Sequence, residues 1–592
     1  MQRSKFFMQS TPIVLAVLLL VGSCQAPEEP KESLKPAPNW PPRVIFNTDG
    51  NWAFNYLTNR DTKDLTVILD ALRGTGVDIV TVLVGIDDDL SWRGSPHGQL
   101  WGDNIKDWNP DDDYSSASVG GMSMSDVERL HANLAAVVDD GHDLMKIYID
   151  RARELELGMF ASFRMNDAHV NYEDRGWYGR STQKLERADL LLGHPVWRTE
   201  GGSQGDRHAI KWGFSWRWDY AEEEVRQRFL GLMDETLTRY DFDGLELDFS
   251  RGAHLFQIGE RFKNIPTLTE FMRKAQEIVR RHESEKGREI KLIARVPVSI
   301  DAGLELGLDI ETWIREGLMD AAVLGSSSYA MQRIDIERAV KAAEKSKVLV
   351  YTGFDSSTHA ASPQGGYERN PITVLRAAAL NGYKQGAAGV HLFNNGYRGH
   401  RQSPVPEGTE VVAKPVGTDR RGHFTPSDLQ NFSDLGDGKA LAKLDRCYYA
   451  ENRSKNYSGD YPAQVPMMLS LVGRGAGPAH AIQIRVDDDI AAGLADGRIK
   501  KTELRLRFSD TEKSFDRILC EVNGSKLDLS SASTIKNSKG EEWLVLDNPP
   551  VKNGINTILV VLEGIKTPAE HKQRRDPWPT LESCEIIVKG GS

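Results

Sequence analysis

Cysteine is scarce in this chain, and its scarcity excludes one class of site. Only 4 of the 592 residues are cysteine, and no two of them form a Cys-x-x-Cys pair. Structural zinc sites need closely spaced thiolates, so the sequence predicts no metal site of this kind, and we expect no cofactor. Three cysteines, Cys447, Cys520 and Cys584, lie in the C-terminal third, where their odd number leaves a disulfide undecided.

The sequence also lacks an excess of positive charge and a glycine-rich phosphate-binding loop after its first predicted strand. The chain carries 74 Lys and Arg residues against 85 Asp and Glu, a formal net charge of −11, and it has no basic run. Nucleic-acid-binding proteins present a basic face to phosphate, so no nucleic-acid partner is expected. No glycine-rich loop follows the first predicted strand, which argues against a dinucleotide-binding sheet. Small molecules and weakly charged polymers remain as partners.

Long hydrophobic runs are limited to one near the N-terminus, at residues 12–22, which is too short to span a bilayer. Basic residues precede it and small residues end it, as in a cleaved export signal. Its end, "LVGSC", resembles the lipobox of bacterial lipoproteins, which implies a signal peptide over residues 1–24 and a lipid on Cys24 that anchors the protein to a membrane. An ordinary secretory signal is the alternative. Both predict an exported protein.

The hydrophobic pattern divides the rest of the chain. Residues 25–42 are rich in Pro, Glu and Lys, have little to bury, and are predicted as an extended tether. Eight apolar, β-rich runs then alternate with helical patterns, which predicts a (β/α)8 TIM barrel over residues 43–400. The runs begin at Arg43, Val77, Gly158, Gly244, Ile290, Ala321, Lys347 and Ala387.

The C-terminal part follows a different pattern. Residues 401–437 are polar, contain Gly and Pro, and are predicted as a connector with a short helix near Pro426 to Leu435. Short alternating strands separated by Gly, Asn and Asp turns then predict a β-sandwich accessory domain over residues 438–592. Because only Trp543 and Trp578 lie there, we expect this domain to brace the barrel rather than to bind carbohydrate.

Polar side chains gather where the predicted barrel strands end. Glu246 and Asp248 alternate with apolar residues in the fourth strand and therefore share one face. In this fold the chemistry sits at the C-terminal strand ends, and burying charge there is costly without a use. Taken singly, each group also has a structural reading, such as an ion pair or a helix cap. The other polar groups at these ends are Asn47, Asp49, Arg164, Asn166, Asp167, His169, Arg251, Arg295, Tyr351, Asp355, His391, Asn394 and Asn395.

Tryptophan is concentrated in the same half of the chain. Nine of the 13 tryptophans fall between Trp52 and Trp218, mostly in long loops predicted after the first three strands. Flat aromatic faces stack on sugar rings, so Trp216 and Trp218, with Trp177 and Trp212, are predicted to form a sugar-binding rim. The alternative is that these rings brace the loops against the barrel.

The segment "FDGLELDFSR", residues 242–251, resembles the strand-four motifs of several glycoside hydrolase barrels. It is similar to the DGxDxDxE motif of the chitinase family, with Asp243, Gly244, Glu246 and Asp248 in register. The chitinase acid, however, falls on Ser250. The resemblance to chitinases therefore covers the strand and leaves out the proton donor.

A closer resemblance is to the DGxxLDyxR motif of bacterial glycosyl-hydrolase-like exported barrel proteins, in which Leu247, Asp248, Phe249 and Arg251 also match. The α-amylase clan places its nucleophilic aspartate at the position of Asp248. These resemblances imply hydrolysis of glycosidic bonds in a poly- or oligosaccharide, without a metal, at the mouth of the barrel.

Two-carboxylate hydrolysis needs a nucleophile or base and a proton donor. Asp248 lies one pleat nearer the mouth than Glu246, so Asp248 is predicted as the ionised nucleophile or base, with Glu246 deeper, tuning it or binding substrate. Asp167, on the adjacent strand end, is predicted as the donor. Two close carboxylates predict a raised pKa for Glu246 unless an arginine compensates. Predicted substrate contacts are Arg164, Asn166, His169, Trp216, Trp218, Arg251, Arg295, Asp355 and Asn395.

Two other functions compete with this one. A metal-dependent hydrolase needs a cage of His and Asp ligands, but the first strand has no His-x-His pair, and His169, His194 and His391 are scattered. A catalytically silent glycan-binding surface lipoprotein would use the same acids only as hydrogen-bond partners, and the serine at position 250 keeps that reading open.

Overall fold

The computed structural model describes most of the barrel and of the C-terminal domain. None of the helices in these parts is long and apolar enough to cross a membrane. The described residues are 35–48, 65–86, 89–101, 103, 134–166, 198–199, 217–250, 255–257, 259–325, 334–354, 357–358, 368–369, 372–393, 410, 424–451, 479–509, 518–536, 542–562 and 580–591.

Eight parallel strands close into a barrel, which confirms the predicted fold class. Each strand pairs with its neighbours along the chain, and the eighth pairs with the first. All eight predicted runs form these strands, with starts shifted by no more than two residues. The strands are β1 (Val44–Thr48), β2 (Val77–Leu83), β3 (Gly158–Arg164), β4 (Gly244–Asp248), β5 (Lys291–Val296), β6 (Ala321–Gly325), β7 (Leu349–Phe354) and β8 (Gly389–Leu392).

Amphipathic helices connect the barrel strands. Helix α3 (Glu223–Arg239) buries Val225, Phe229, Met233 and Leu237, the apolar stripe that helix periodicity produces. Helix α4 (Ile265–Lys286) is followed by Gly287, whose φ of +63° provides a left-handed cap. The helices are α1 (Val67–Leu72), α2 (Leu144–Glu154), α3 (Glu223–Arg239), α4 (Ile265–Lys286), α5 (Ile300–Glu305), α6 (Ile310–Glu316), α7 (Ile336–Ala343) and α8 (Ile372–Lys384).

The helix predicted inside the connector packs against the barrel. Helix α9 (Pro426–Leu435) begins at a capping box on Thr425 and lies against α8 and β1. The ring of Phe432 meets Phe46 edge-on at 5.4 Å, and Phe432 and Leu435 belong to the main hydrophobic core. We call α9 the eighth helix of the barrel, because it follows the eighth strand and packs on β1 and α8.

The lower end of the barrel interior is filled with apolar side chains. Trp40 stacks on Phe160 with ring centroids 6.4 Å apart and covers this level from below. The hydroxyl of Tyr351 donates to the carbonyl of Pro42 at 3.0 Å, so Tyr351 lies at this closed end and not at the mouth where the sequence placed it. The inward-facing residues of this level are Ile45, Ile79, Phe160, Ile293, Ala321, Val323 and Tyr351.

The first half of the "DGLELD" segment builds this closed end. The Asp243 carboxylate accepts from the Met159 backbone amide at 3.0 Å, and its burial raises its pKa. A Cβ on Gly244 would lie 2.3 Å from the Phe160 ring, so only glycine fits there. The "DG" pair therefore joins the lower ends of β3 and β4, while the second half of the segment reaches the mouth.

The C-terminal domain consists of two antiparallel sheets that share one apolar core. The larger sheet has the order β9-β17-β11-β15-β14 and the smaller one β10-β16-β12-β13, and helices α10 (Gly438–Leu441) and α11 (Ile490–Ala495) lie beside them. The strands are β9 (Arg446–Glu451), β10 (Ala479–Val486), β11 (Ile499–Ser509), β12 (Ile518–Val522), β13 (Ser525–Lys526), β14 (Ser533–Lys536), β15 (Glu542–Asp547), β16 (Gly554–Leu562) and β17 (Thr580–Gly590).

This second domain packs directly on the barrel. Strand β9 contacts α8, and Cys447 and Tyr449 extend the barrel's hydrophobic core. Asn381 on α8 donates to the carbonyl of Arg485 at 3.0 Å and accepts from the amide of Asp487 at 2.9 Å. These contacts fit a bracing role. The three described cysteines are buried and free of disulfides, and burial raises the pKa of each thiol.

Candidate active site

The two acids of β4 face the barrel interior at different heights. Glu246 pairs in register with Ser162 of β3 and Ile293 of β5. Asp248 stands beside Arg164 and Arg295, at the C-terminal ends of the same strands. Because side chains alternate along a strand, the intervening Leu247 points to the helices. The predicted order, with Glu246 below Asp248, is thus seen.

Four polar side chains enclose the Glu246 carboxylate. Its Oε1 accepts hydrogen bonds from Asn47 Nδ2 at 2.7 Å, Thr81 Oγ1 at 3.1 Å and Ser162 Oγ at 2.7 Å. Its Oε2 lies 2.6 Å from Nε2 of His391, which we assign as the donor because an ionised carboxylate only accepts. All five residues, here called the Glu246 cluster, are buried.

The Glu246 cluster favours the ionised acid. Burial alone would raise the pKa of Glu246, but the charge of His391, the hydrogen bonds from His391 and Ser162, and the charge of Arg295 together hold this pKa below its ordinary value. A raised pKa was predicted unless an arginine compensates, and here the charge of Arg295 contributes, with the donors of the Glu246 cluster, to the lowered pKa. The other imidazole nitrogen, Nδ1 of His391, has no hydrogen-bond partner among the described residues.

Asp248 is held by an arginine and a backbone amide. Nη1 of Arg295 lies 2.8 Å from both Oδ1 and Oδ2 of Asp248, and both side chains are 1% exposed. The amide of Ser250 donates to Oδ1 at 2.9 Å. A buried carboxylate of this kind persists only when it is paired and hydrogen-bonded. The predicted Arg295 therefore contacts the acid directly.

An aromatic ring covers this ion pair. The guanidinium carbon of Arg295 lies 3.8 Å from the ring centroid of Phe393, and that of Arg164 lies 6.0 Å from it. Phe393 follows β8 and is 1% exposed. We call Asp248, Arg295, Ser250 and Phe393 the Asp248 cluster. Sequence reasoning named the neighbouring asparagines and missed Phe393, although its alternation with His391 places both on the inner face.

Asn166, which follows β3, is hydrogen-bonded to the segment that leads into α3. Asn166 accepts from the amide of Trp218 at 2.9 Å and donates to its carbonyl at 3.2 Å. The Trp218 ring is 1% exposed, packs edge-on against Phe229 at 5.8 Å, and lies 4.7 Å from the Arg228 guanidinium carbon. Trp218 therefore lies in the core and not on the exposed sugar-binding rim predicted from sequence. Its ring packs on α3, the helix that begins a few residues later in the chain.

The serine at the chitinase acid position has a structural partner. Its hydroxyl donates to the carbonyl of Gly325 at 3.4 Å, and Ser250 is buried beside Asp248. A serine hydroxyl does not act as the proton donor that a chitinase glutamate provides. Any proton donor in this barrel must therefore come from another element.

A carboxyl group that sequence reasoning missed lies on the segment leading into α3. Asp219 accepts from the Ala221 amide at 3.0 Å and from Gln257 Nε2 at 3.2 Å, which joins the loops after β3 and β4. Burial, with the nearby acids Glu222 and Glu260, raises the pKa of Asp219 above its ordinary value. Its place directly after Trp218 in the loop of β3 was the available sequence signal.

Several predicted site residues fall outside the described ranges. The structure describes Arg164, Asn166, Trp218, Glu246, Asp248 and Arg295 and brings Arg295 to Asp248. Within the described residues no group of three or more His, Cys, Asp or Glu side chains is placed to share a metal ion. The predicted residues that lie outside are Cys24, Asp49, Asp167, His169, Trp177, Trp212, Trp216, Arg251, Asp355, Asn394 and Asn395.

No protein-family model matches this sequence, and no curated protein matches it. Solved structures do. A cycloisomaltooligosaccharide glucanotransferase from Paenibacillus sp. is 8% identical with a TM-score of 0.27, over 93% of this chain and 57% of that one. A maltogenic alpha-amylase from Thermotoga neapolitana is 13% identical with a TM-score of 0.33, over 88% and 99%. A chitinase from Pseudoalteromonas aurantia is 10% identical with a TM-score of 0.28, over 59% and 93%. Similarity this weak supports no argument about function, and the evidence for the barrel fold is the strand pairing in the structure itself.

Proposed function

We propose that the chain is an exported glycoside hydrolase that cleaves glycosidic bonds of a poly- or oligosaccharide at the mouth of its barrel. The observation that carries the proposal is the Asp248 cluster. It holds a carboxylate at the C-terminal end of β4, in register with the catalytic aspartate of the related motifs, with both oxygens against Arg295. Fixed position and fixed charge are what a nucleophile or base requires.

The proposal divides the carboxylates by role. Asp248 acts as nucleophile or base, and Glu246, one pleat deeper in the barrel and enclosed by four donors, supports it from below. The proton donor is Asp167, which follows the adjacent β3 in sequence. Asp219 is a second candidate, because Gln257 holds it between the loops after β3 and β4 and its burial raises its pKa, as a general acid requires. The chemistry needs no metal.

The test is hydrolysis of a panel of polysaccharides and aryl glycosides by wild type and Asp248→Asn, with folding checked for both. Wild type should release reducing sugar, and Asp248→Asn should lose about a hundredfold or more in turnover, as removal of acid–base chemistry usually does. Near-wild-type turnover in Asp248→Asn would exclude this assignment.

A catalytically silent glycan-binding lipoprotein is the second candidate. The serine at position 250 favours it, because the acid of the chitinase motif is missing there. This function predicts that wild type binds glycans in a pull-down or calorimetric titration but releases no sugar from any member of the panel. Asp248→Asn would then weaken binding without any change in a hydrolysis rate.

Export with lipid attachment at Cys24 is part of the same proposal. Its support is the short apolar run that ends in "VGSC" and the Pro-rich segment after it. Cell fractionation of wild type and Cys24→Ala tests it. The wild-type protein should partition with membranes and the variant should not, whereas two soluble products cut at the same site would rule out the lipid.

A further inference from the structure

Phe393 differs from the other buried phenylalanines of the barrel in what it touches. Its chain neighbour Leu392 and the facing Phe354 lie in the main hydrophobic core, between the strands and the helices. Phe393 belongs to neither hydrophobic cluster of the barrel's described residues, although it is 1% exposed. Its face is instead turned to the Arg295 guanidinium at 3.8 Å.

This contact acts on one particular part of the site. The same guanidinium places Nη1 at 2.8 Å from both oxygens of Asp248. A ring over a guanidinium attracts it through the aromatic quadrupole and excludes water from one face. In a water-excluded place the ion pair is stronger than in water, and fewer orientations are open to the arginine.

The position of the ring is itself fixed by the backbone. The amide of Phe393 donates to the carbonyl of Phe354 at 2.7 Å, which extends the pairing of β7 and β8 by one bond beyond the last strand residue. The ring is therefore held on the sheet and not on a loop. Its contact with Arg295 reaches from β8 to β5, on the other side of the barrel.

We infer that Phe393 is a positioning residue, which holds Arg295 so that both oxygens of the Asp248 carboxylate stay in the orientation the reaction needs. The inference rests on the proposed function for its catalytic meaning, but the geometry it asserts can be tested without turnover. Phe393 touches no reacting atom in this account. Its effect reaches the substrate only through Arg295 and Asp248.

The kinetic test compares Phe393→Leu with Phe354→Leu as a matched control. Both replace a buried phenylalanine by leucine and should cost similar stability, but only the first removes the ring from Arg295. Phe393→Leu should lower kcat by about tenfold to a hundredfold with KM changed less than about twofold, as a small misplacement of a catalytic group does. Phe393→Tyr, which keeps the ring, should restore kcat. Equal kcat in Phe393→Leu and Phe354→Leu would overturn the inference.

The second readout is a crystal structure of each leucine variant. In Phe393→Leu the Arg295 guanidinium should lose contact with at least one Asp248 oxygen, whereas Phe354→Leu should keep both. Persistence of both contacts in Phe393→Leu overturns the inference even when kcat falls. A wild-type protein that hydrolyses no glycoside would instead refute the proposed function, and the two crystal structures would still decide whether Phe393 positions Arg295.

Discussion

The barrel interior holds two carboxylates, two residues apart on one strand, in opposite surroundings. Glu246 is met by four neutral or ionisable donors from β1, β2, β3 and β8, which satisfy both of its oxygens. Asp248 accepts from Arg295 of β5 and from the amide of Ser250, two residues past the end of its own strand. The Glu246 cluster ties together five strands, whereas the Asp248 cluster lies at the mouth.

These two surroundings favour different roles for the two acids of β4. An acid satisfied from every side has no coordination left for a ligand, and its donors make it expensive to move. An acid held by an arginine and a backbone amide keeps a defined orientation at the C-terminal end of its strand. We therefore expect Glu246 substitutions to act on folding and Asp248 substitutions to act on turnover.

The largest expected effect is on the stability of the Glu246 cluster. Glu246→Ala removes the acceptor shared by His391, Thr81 and Ser162, and it should lower the free energy of unfolding by about 3–5 kcal/mol, as breaking a buried ion pair does. Urea denaturation measures the loss. The control, Ser162→Ala, removes one donor and should cost only about 1.5–3 kcal/mol. Equal losses in the two variants would show that the carboxylate does not organise the cluster.

Turnover should separate the two acids next. Per folded molecule, Glu246→Gln should keep kcat within about tenfold of wild type, because the amide retains the shape and part of the hydrogen bonding. Asp248→Asn should fall by about a hundredfold or more. Steady-state kinetics on the best substrate of the panel, normalised to folded protein by circular dichroism, measures both. A greater loss in Glu246→Gln than in Asp248→Asn would reverse the assigned roles.

Acid should weaken the Glu246 cluster in a predictable direction. The pKa of Glu246 is lower in the folded protein than in the unfolded chain. Its contribution to stability is thus complete above the unfolded value of about 4.3 and is lost as pH falls through the folded value. The Tm difference between wild type and Glu246→Gln should therefore be constant above about pH 5 and shrink below it. A difference that grew toward acid would contradict the lowered pKa.

The smallest effect is expected at the margin of the mouth, on Trp218. Because its ring is buried against Phe229 and Arg228, Trp218→Phe should lower Tm modestly and leave the affinity for glycans unchanged. Calorimetric titration with the best ligand, next to a melting curve, checks this. A clear loss of affinity with unchanged Tm would return Trp218 to the sugar-binding rim.

The spacing of apolar residues was sufficient to predict the barrel strands and the inward-facing side chains of β4, because alternation is a local property of the chain. An ion pair between Arg295 and an acid was also among the structural interpretations of the sequence. Which acid it neutralises was not predictable, since the choice depends on the register between β4 and β5. Phe393 and the donors Thr81 and Ser162 were missed for a similar reason. Their types are common in buried strands, and only the closed barrel brings them to Arg295 and Glu246.

The eighth helix has a consequence for how the chain reaches its fold during synthesis. Val44 of β1 pairs with Val390, and Phe432 on α9 covers Phe46. The first barrel strand to be synthesised therefore cannot be buried until β8 and α9 have been synthesised. Contacts so distant along the chain make closure slow and expose the early strands to association. A barrel cut at residue 400 would lack this cover and would also lack Leu441, which belongs to the same hydrophobic core.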